Sequence, residues 1–77
     1  MKYGNYEYRV VSNSTEGYCI MQLFEKDGIY YFISKKAASP WANSVDNLKS
    51  NLNMFNDALK KPILLFSDIK DITSMPL

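Results

Sequence analysis

The spacing of apolar positions changes once along this chain. From Ser44 to Pro62 (SVDNLKSNLNMFNDALKKP), Val45, Leu48, Leu52, Phe55 and Leu59 recur at intervals of three and four. That spacing draws one apolar stripe along a helix. Ala58 widens the stripe, Met54 lies off it, and Asp46, Asn47, Lys49, Ser50, Asn53, Asn56, Asp57 and Lys60 fill the remaining circumference. Ser44 suits the N-cap, because its hydroxyl accepts a bond from an unpaired first-turn amide. Asp46 near the start and Lys60 and Lys61 near the end suit the helix dipole. Pro62 stops the ladder and pushes Lys61 out of helical geometry. Asn and Ser are mediocre helix formers, so packing has to hold this helix more than propensity does.

Before the helix the period is two. Tyr6–Val11 (YEYRVV) alternates, with Tyr6, Tyr8 and Val10 on one side and Glu7, Arg9 and Val11 on the other, as in a half-buried strand. Ser12–Gly17 is a polar turn cluster. Tyr18–Lys26 (YCIMQLFEK) and Ile29–Ser34 (IYYFIS) read as a second and third strand, joined by Asp27-Gly28, the pair that a two-residue type I′ turn favours. Such a turn sets Lys26 opposite Ile29, Phe24 opposite Tyr31, Leu23 opposite Phe32 and Gln22 opposite Ile33. One face of the hairpin then carries Cys19, Met21, Leu23, Tyr30 and Phe32. The other carries Ile20, Phe24, Ile29, Tyr31 and Ile33, with Gln22 among them. Both faces are apolar, and one helix covers only one of them.

Lys35–Asn43 is a loop broken by Pro40, with Trp41 expected to fold back onto the core edge. Pro62–Phe66 (PILLF) is a short fourth strand, its proline tolerated at the first position. The helix returns the chain along the sheet, so this strand runs parallel to the first and third. It completes the sheet beside the first strand or, at an open edge, pairs with another chain. The expected fold is α+β in the order β-β-β-α-β: a three-stranded antiparallel meander, one amphipathic helix packed on one face, and a short fourth strand. Residues 1–66 form one domain, and 67–77 form a tail that either packs on the sheet or frays. The helix is expected on the Cys19, Met21, Leu23 and Phe32 face. That leaves Ile20, Phe24, Ile29, Tyr31 and Ile33 as the candidate partner interface, since an exposed apolar patch normally marks one.

Size sharpens this expectation. A chain of 77 residues buries only about 60% of the surface its unfolded form exposes. A single core of that size supplies about 3–5 kcal/mol, so small domains commonly lean on disulfides, metal or oligomerisation. Cys19 is the only cysteine and there is no histidine, which excludes an internal disulfide and argues against zinc. Self-association or partner binding is the remaining support. The net charge of +1 gives no global attraction to nucleic acid or anionic membrane. The N-terminus has no signal-peptide h-region, and no apolar run is long enough to cross a bilayer, so a soluble, cytoplasmic protein is expected.

The same inventory argues against an enzyme. Without histidine there is no His-assisted nucleophile, and Cys19 sits in a strand where a lone thiol behaves as a small hydrophobe. The acidic residues do not cluster as a catalytic pair. Asp68 and Asp71 share a DxxD spacing, but a metal site needs more ligands than two carboxylates. Gly4, Gly17 and Gly28 are scattered, so no phosphate-cradling loop exists, and no cofactor is expected. Tyrosine is unusually frequent, at positions 3, 6, 8, 18, 30 and 31. Strand propensity explains this first; a protein interface or a base-stacking platform would use the same rings.

Four segments carry a resemblance: Tyr8-Arg9-Val10-Val11, Asp27-Gly28, Ser44-Val45-Asp46-Asn47-Leu48, and Ala58-Leu59-Lys60-Lys61-Pro62-Ile63-Leu64. Together they resemble a group of short, uncharacterised bacterial proteins of about this length, departing at Asn47, where that group usually has an acidic residue, and in the third strand and the loop that follows it. The β-β-β-α-β layout is similar to HicB-type antitoxins in topology, without their Gly-Cys hairpin. What that layout implies is a non-enzymatic, antitoxin-like regulatory module that works as a homodimer or by binding a protein partner. An inhibitor of a host defence complex, carried by a phage or mobile element, has the same size and the same lack of catalytic residues. A weak single-stranded nucleic-acid binder would instead stack bases on Tyr6, Tyr8, Tyr30 or Tyr31.

Overall fold

A computed structural model describes residues 4–15 and 17–75; Tyr3 and the last two residues of the tail lie outside the described residues. The elements are β1 (Asn5–Asn13), β2 (Gly17–Lys26), β3 (Ile29–Phe32), α1 (Val45–Ala58), β4 (Leu64–Leu65) and β5 (Lys70–Asp71), with 3-10 turns at Phe66–Asp68 and Ile72–Ser74. The α+β class and the three-stranded meander are as the sequence implies. Asp27 and Gly28 both have positive φ, 55° and 80°, the type I′ requirement. Lys26 therefore faces Ile29, Phe24 faces Tyr31 and Leu23 faces Phe32. Beyond Phe32 the chain leaves the sheet earlier than expected. It touches β2 again where the Ala38 amide donates to the Ile20 carbonyl at 2.8 Å.

The sheet has five strands in the order β4-β1-β2-β3-β5. β4 runs parallel to β1, where Val11 faces Leu64, and β5 runs parallel to β3, where Tyr31 faces Lys70. The two short strands therefore sit on opposite edges, although only residues 66–69 separate them. Across a flat sheet those edges would lie about 19 Å apart, four spacings of 4.7–4.9 Å. A linker containing a 3-10 turn spans only about 13 Å. The sheet must curl until its edges approach.

The C-terminal segment then lies across the inside of the curl. Val11, Met21, Leu23, Phe32 and Ile69 are buried together, with Cys19, Tyr30, Leu64 and Phe66 packed against them. Phe66 stacks on Phe32 with ring centroids 4.7 Å apart. One open alternative takes a form here, and one expectation changes. The 67–77 tail packs within its described part: it supplies β5 and Ile69, a buried core residue. And the Cys19, Met21, Leu23 and Phe32 face is covered by this segment rather than by the helix. The reason is the tight turn at Phe66–Asp68. With three residues per turn, positions i and i+3 eclipse, so Phe66 and Ile69 reach the same side.

The helix packs on the other face. The Phe55 ring lies 4.7 Å from that of Tyr8, and Tyr8 and Val10 alternate with the inward-facing Val11. Ser44 caps α1 from an extended backbone, its hydroxyl accepting from the Asn47 amide at 3.1 Å. At the far end the amides of Leu59, Lys60 and Lys61 bond three residues back, to Asn56, Asp57 and Ala58. The exit is thus a tightened 3-10 turn, and Lys60 and Lys61 lie past the helix. Contact with the sheet is made by Leu48, Asn51 and Phe55, all half-buried, and by Ala58, the one buried residue of α1. The contact stripe is therefore rotated from the expected one, toward Asn51 and Ala58 and away from Val45, Leu52 and Leu59. Trp41 does not fold back onto the core; it is 74% exposed.

Candidate interaction surface

Rotating the stripe leaves part of it in solvent. Val45, Leu52 and Leu59 are 68%, 46% and 64% exposed. They repeat every seven residues, and a seven-residue step drifts only about 20° around a straight helix. The three side chains therefore form a continuous ridge along α1. Leu65 adds to it from β4. Its register partner is Ser12, which alternates with the inward Val11, so Leu65 stands on the helix side of the sheet and is exposed. Ile63, in the connection before β4, is exposed as well.

The residues expected to form the interface fare differently. Ile29 and Ile33 are exposed, while Ile20 and Phe24 are half-buried and Phe24 meets the Tyr6 ring edge-on at 5.2 Å. Tyr31 is only 3% exposed. The five share the face on which α1 packs against β1; Tyr31 there is inaccessible without opening the fold, while Ile29, Ile33 and the neighbouring Gln22 remain exposed. Most of the stacking rings are similarly engaged. Tyr8 packs on Phe55, Tyr30 lies under the Arg9 guanidinium at 5.0 Å from ring centroid to charge, and Tyr31 is buried. Of the four rings named as platforms, Tyr6 alone is exposed.

One arrangement was not legible as alternation. Arg9 points into the curl and is buried. Its guanidinium donates to the Tyr30 hydroxyl and, at 2.6 Å, to the Pro62 carbonyl. It also sits 3.6 Å from the Glu7 carboxylate, which Lys61 approaches at 3.4 Å. Arg9 thus ties β1 to β3 and to the helix exit, which fixes where α1 ends and β4 begins. The only sequence signal is an arginine on the inward parity of a strand whose neighbour Val11 is fully buried.

Chemistry is scarce elsewhere. Among the described residues no group of three or more His, Cys, Asp or Glu could hold a metal ion, and no helix is long and apolar enough to cross a membrane. An open groove is lined by Phe32, Lys35, Phe66, Lys70 and Asp71. Of its charged groups, Lys35 pairs with Asp71 at 3.0 Å. Compared with protein-family models, curated proteins and solved structures, the chain matches none.

Proposed function

We propose that the protein is a small non-enzymatic interaction module, antitoxin-like in the general sense of acting by occupying a protein surface, and that its working face is the exposed flank of α1. The exposed ridge of Val45, Leu52 and Leu59 carries this reading. Fully burying an aliphatic side chain is worth about 1.5–3 kcal/mol, so covering what the ridge still exposes contributes about 3–5 kcal/mol. Association costs about 4–15 kcal/mol. A partner must therefore also cover flanking apolar residues such as Leu65, or bring an equal ridge of its own.

The test is capture from the cells that naturally contain the protein, with cross-linking and mass spectrometry. Three forms are compared: the native chain, the pair Leu52→Lys with Leu59→Lys, and the pair Ile29→Lys with Ile33→Lys. Each is first shown by circular dichroism to be folded. Loss of the captured protein only with the helix pair supports the reading. Unchanged capture with the helix pair, or loss only with the sheet pair, overturns it.

A further inference from the structure

We infer that the exposed flank of α1 docks on the same flank of a second copy, the two helices running antiparallel about a two-fold axis at Leu52. This deepens the proposed function and rests on its choice of surface. Three observations select a second copy as the occupant. The ridge is self-complementary: Val45 and Leu59 each lie seven residues from Leu52, so an antiparallel copy sets Leu52 against Leu52 and Val45 against Leu59. Such a surface is what a two-fold, isologous contact requires.

Charge selects the direction. Asp46 lies in the first turn of α1 and Lys60 directly follows Leu59 in the exit turn, so opposite charges sit at the two ends of the ridge. Asp46 makes no ion pair among the described residues, and Lys60 makes only an exposed contact with Asp57 at 3.7 Å. Antiparallel docking brings Asp46 of each copy toward Lys60 of the other, at both ends of the contact. Parallel docking would oppose like charges at both ends. The third observation is the helix itself, which has five Asn and Ser residues within Asn47–Asn56 and one buried residue, Ala58. A helix so poor in propensity needs packing on more of its surface.

Sedimentation velocity over a concentration series tests the association, and cysteine cross-linking tests its geometry. The native chain is expected to move from 8.9 kDa to twice that mass as concentration rises, while Leu52→Lys stays at the single-chain mass. Asp46→Lys and Lys60→Asp should each weaken the dimer at least several-fold, and the two together should restore it. For geometry, Val45→Cys and Leu59→Cys are made separately in a Cys19→Ser chain. Mixing them should give the disulfide between unlike chains. Each alone should give little, because equivalent positions lie about 21 Å apart in an antiparallel pair. Cross-links within either variant alone, a dimer unaffected by Leu52→Lys, or a native chain that stays monomeric at millimolar concentration overturns the inference. A monomer whose partner capture is still lost with Leu52→Lys and Leu59→Lys would leave the interaction module standing and remove only self-docking.

Discussion

Removing the carboxylate beside Arg9 should destabilise the protein more than removing Arg9 itself. The Arg9 side chain is 6% exposed and that of Glu7 is 21% exposed, with 3.6 Å between them. Glu7→Gln leaves a buried cation without its counter-charge. Two unit charges at 4 Å interact by about 4 kcal/mol at an effective dielectric of 20. Partial exposure of Glu7 and a retained polar amide reduce this to about 2–3 kcal/mol. Arg9→Met strands no charge, since Lys61 still approaches Glu7 at 3.4 Å. It forfeits the bonds to Tyr30 and Pro62, each worth about 1.5–3 kcal/mol with a charged donor. Against that it releases the cost of a desolvated guanidinium, several kcal/mol per buried ion. That cost is undiminished at Nε, which is buried with no hydrogen-bond partner. Methionine also keeps most of the volume. The net change should fall within about 1 kcal/mol of zero. Urea unfolding followed by far-UV circular dichroism reads both variants, provided the slope with denaturant stays constant. If Arg9→Met lowers stability more than Glu7→Gln does, the guanidinium's hydrogen bonds outweigh its desolvation and this reasoning is wrong.

Other perturbations separate the core from the surface. Ile69→Ala should cost about 2–4 kcal/mol, because Ile69 is 7% exposed inside the curl, whereas Leu59→Ala should cost less than about 1 kcal/mol in the monomer. Equal effects in thermal melts of the two would deny that the C-terminal segment closes the core. Ser44→Ala removes the one side-chain cap of α1 and should cost about 1 kcal/mol, read as faster amide exchange in the helix's first turn. Gly4→Ala would place a Cβ 2.3 Å from the Glu25 carbonyl oxygen. It should destabilise by about 1–3 kcal/mol, seen as a lower denaturation midpoint; an unchanged midpoint would show that the segment before β1 moves aside.

What the sequence made legible was local. The type I′ pair Asp27-Gly28 fixes the β2–β3 register by backbone geometry alone, and Ser44 fixes the start of α1 through one hydrogen bond. The parallel direction of Leu64–Leu65 follows from connectivity, whereas its place beside β1 rather than at an open edge does not. The side on which the helix packs was not legible, because both faces of the hairpin are apolar and the choice depends on what else competes for them. The competitor is the Phe66–Ile69 turn, whose two apolar residues look sparse in a linear count but coincide in space. The rotation of α1 was hidden for a related reason. Ala58 contributes little to an apolar stripe, yet it is the one buried residue of α1. The expected interface shows the same limit: Ile29 and Ile33 are exposed as read, while Tyr31 is buried by an arrangement no pattern in its own strand records.

These departures are linked. In a sheet covered by one helix, the helix must spend its apolar stripe on the core, and the spare surface lies across the sheet. Here the curl brings β4 and β5 close enough for a short segment to fill the concave side, and Arg9 anchors the helix exit so that this segment begins in the right place. The helix then uses Leu48, Asn51, Phe55 and Ala58 for its contact with the sheet. Val45, Leu52 and Leu59 remain exposed in a line along its flank. An exposed apolar ridge therefore remains on the helix, and it remains there because the C-terminal segment closes the core in its place.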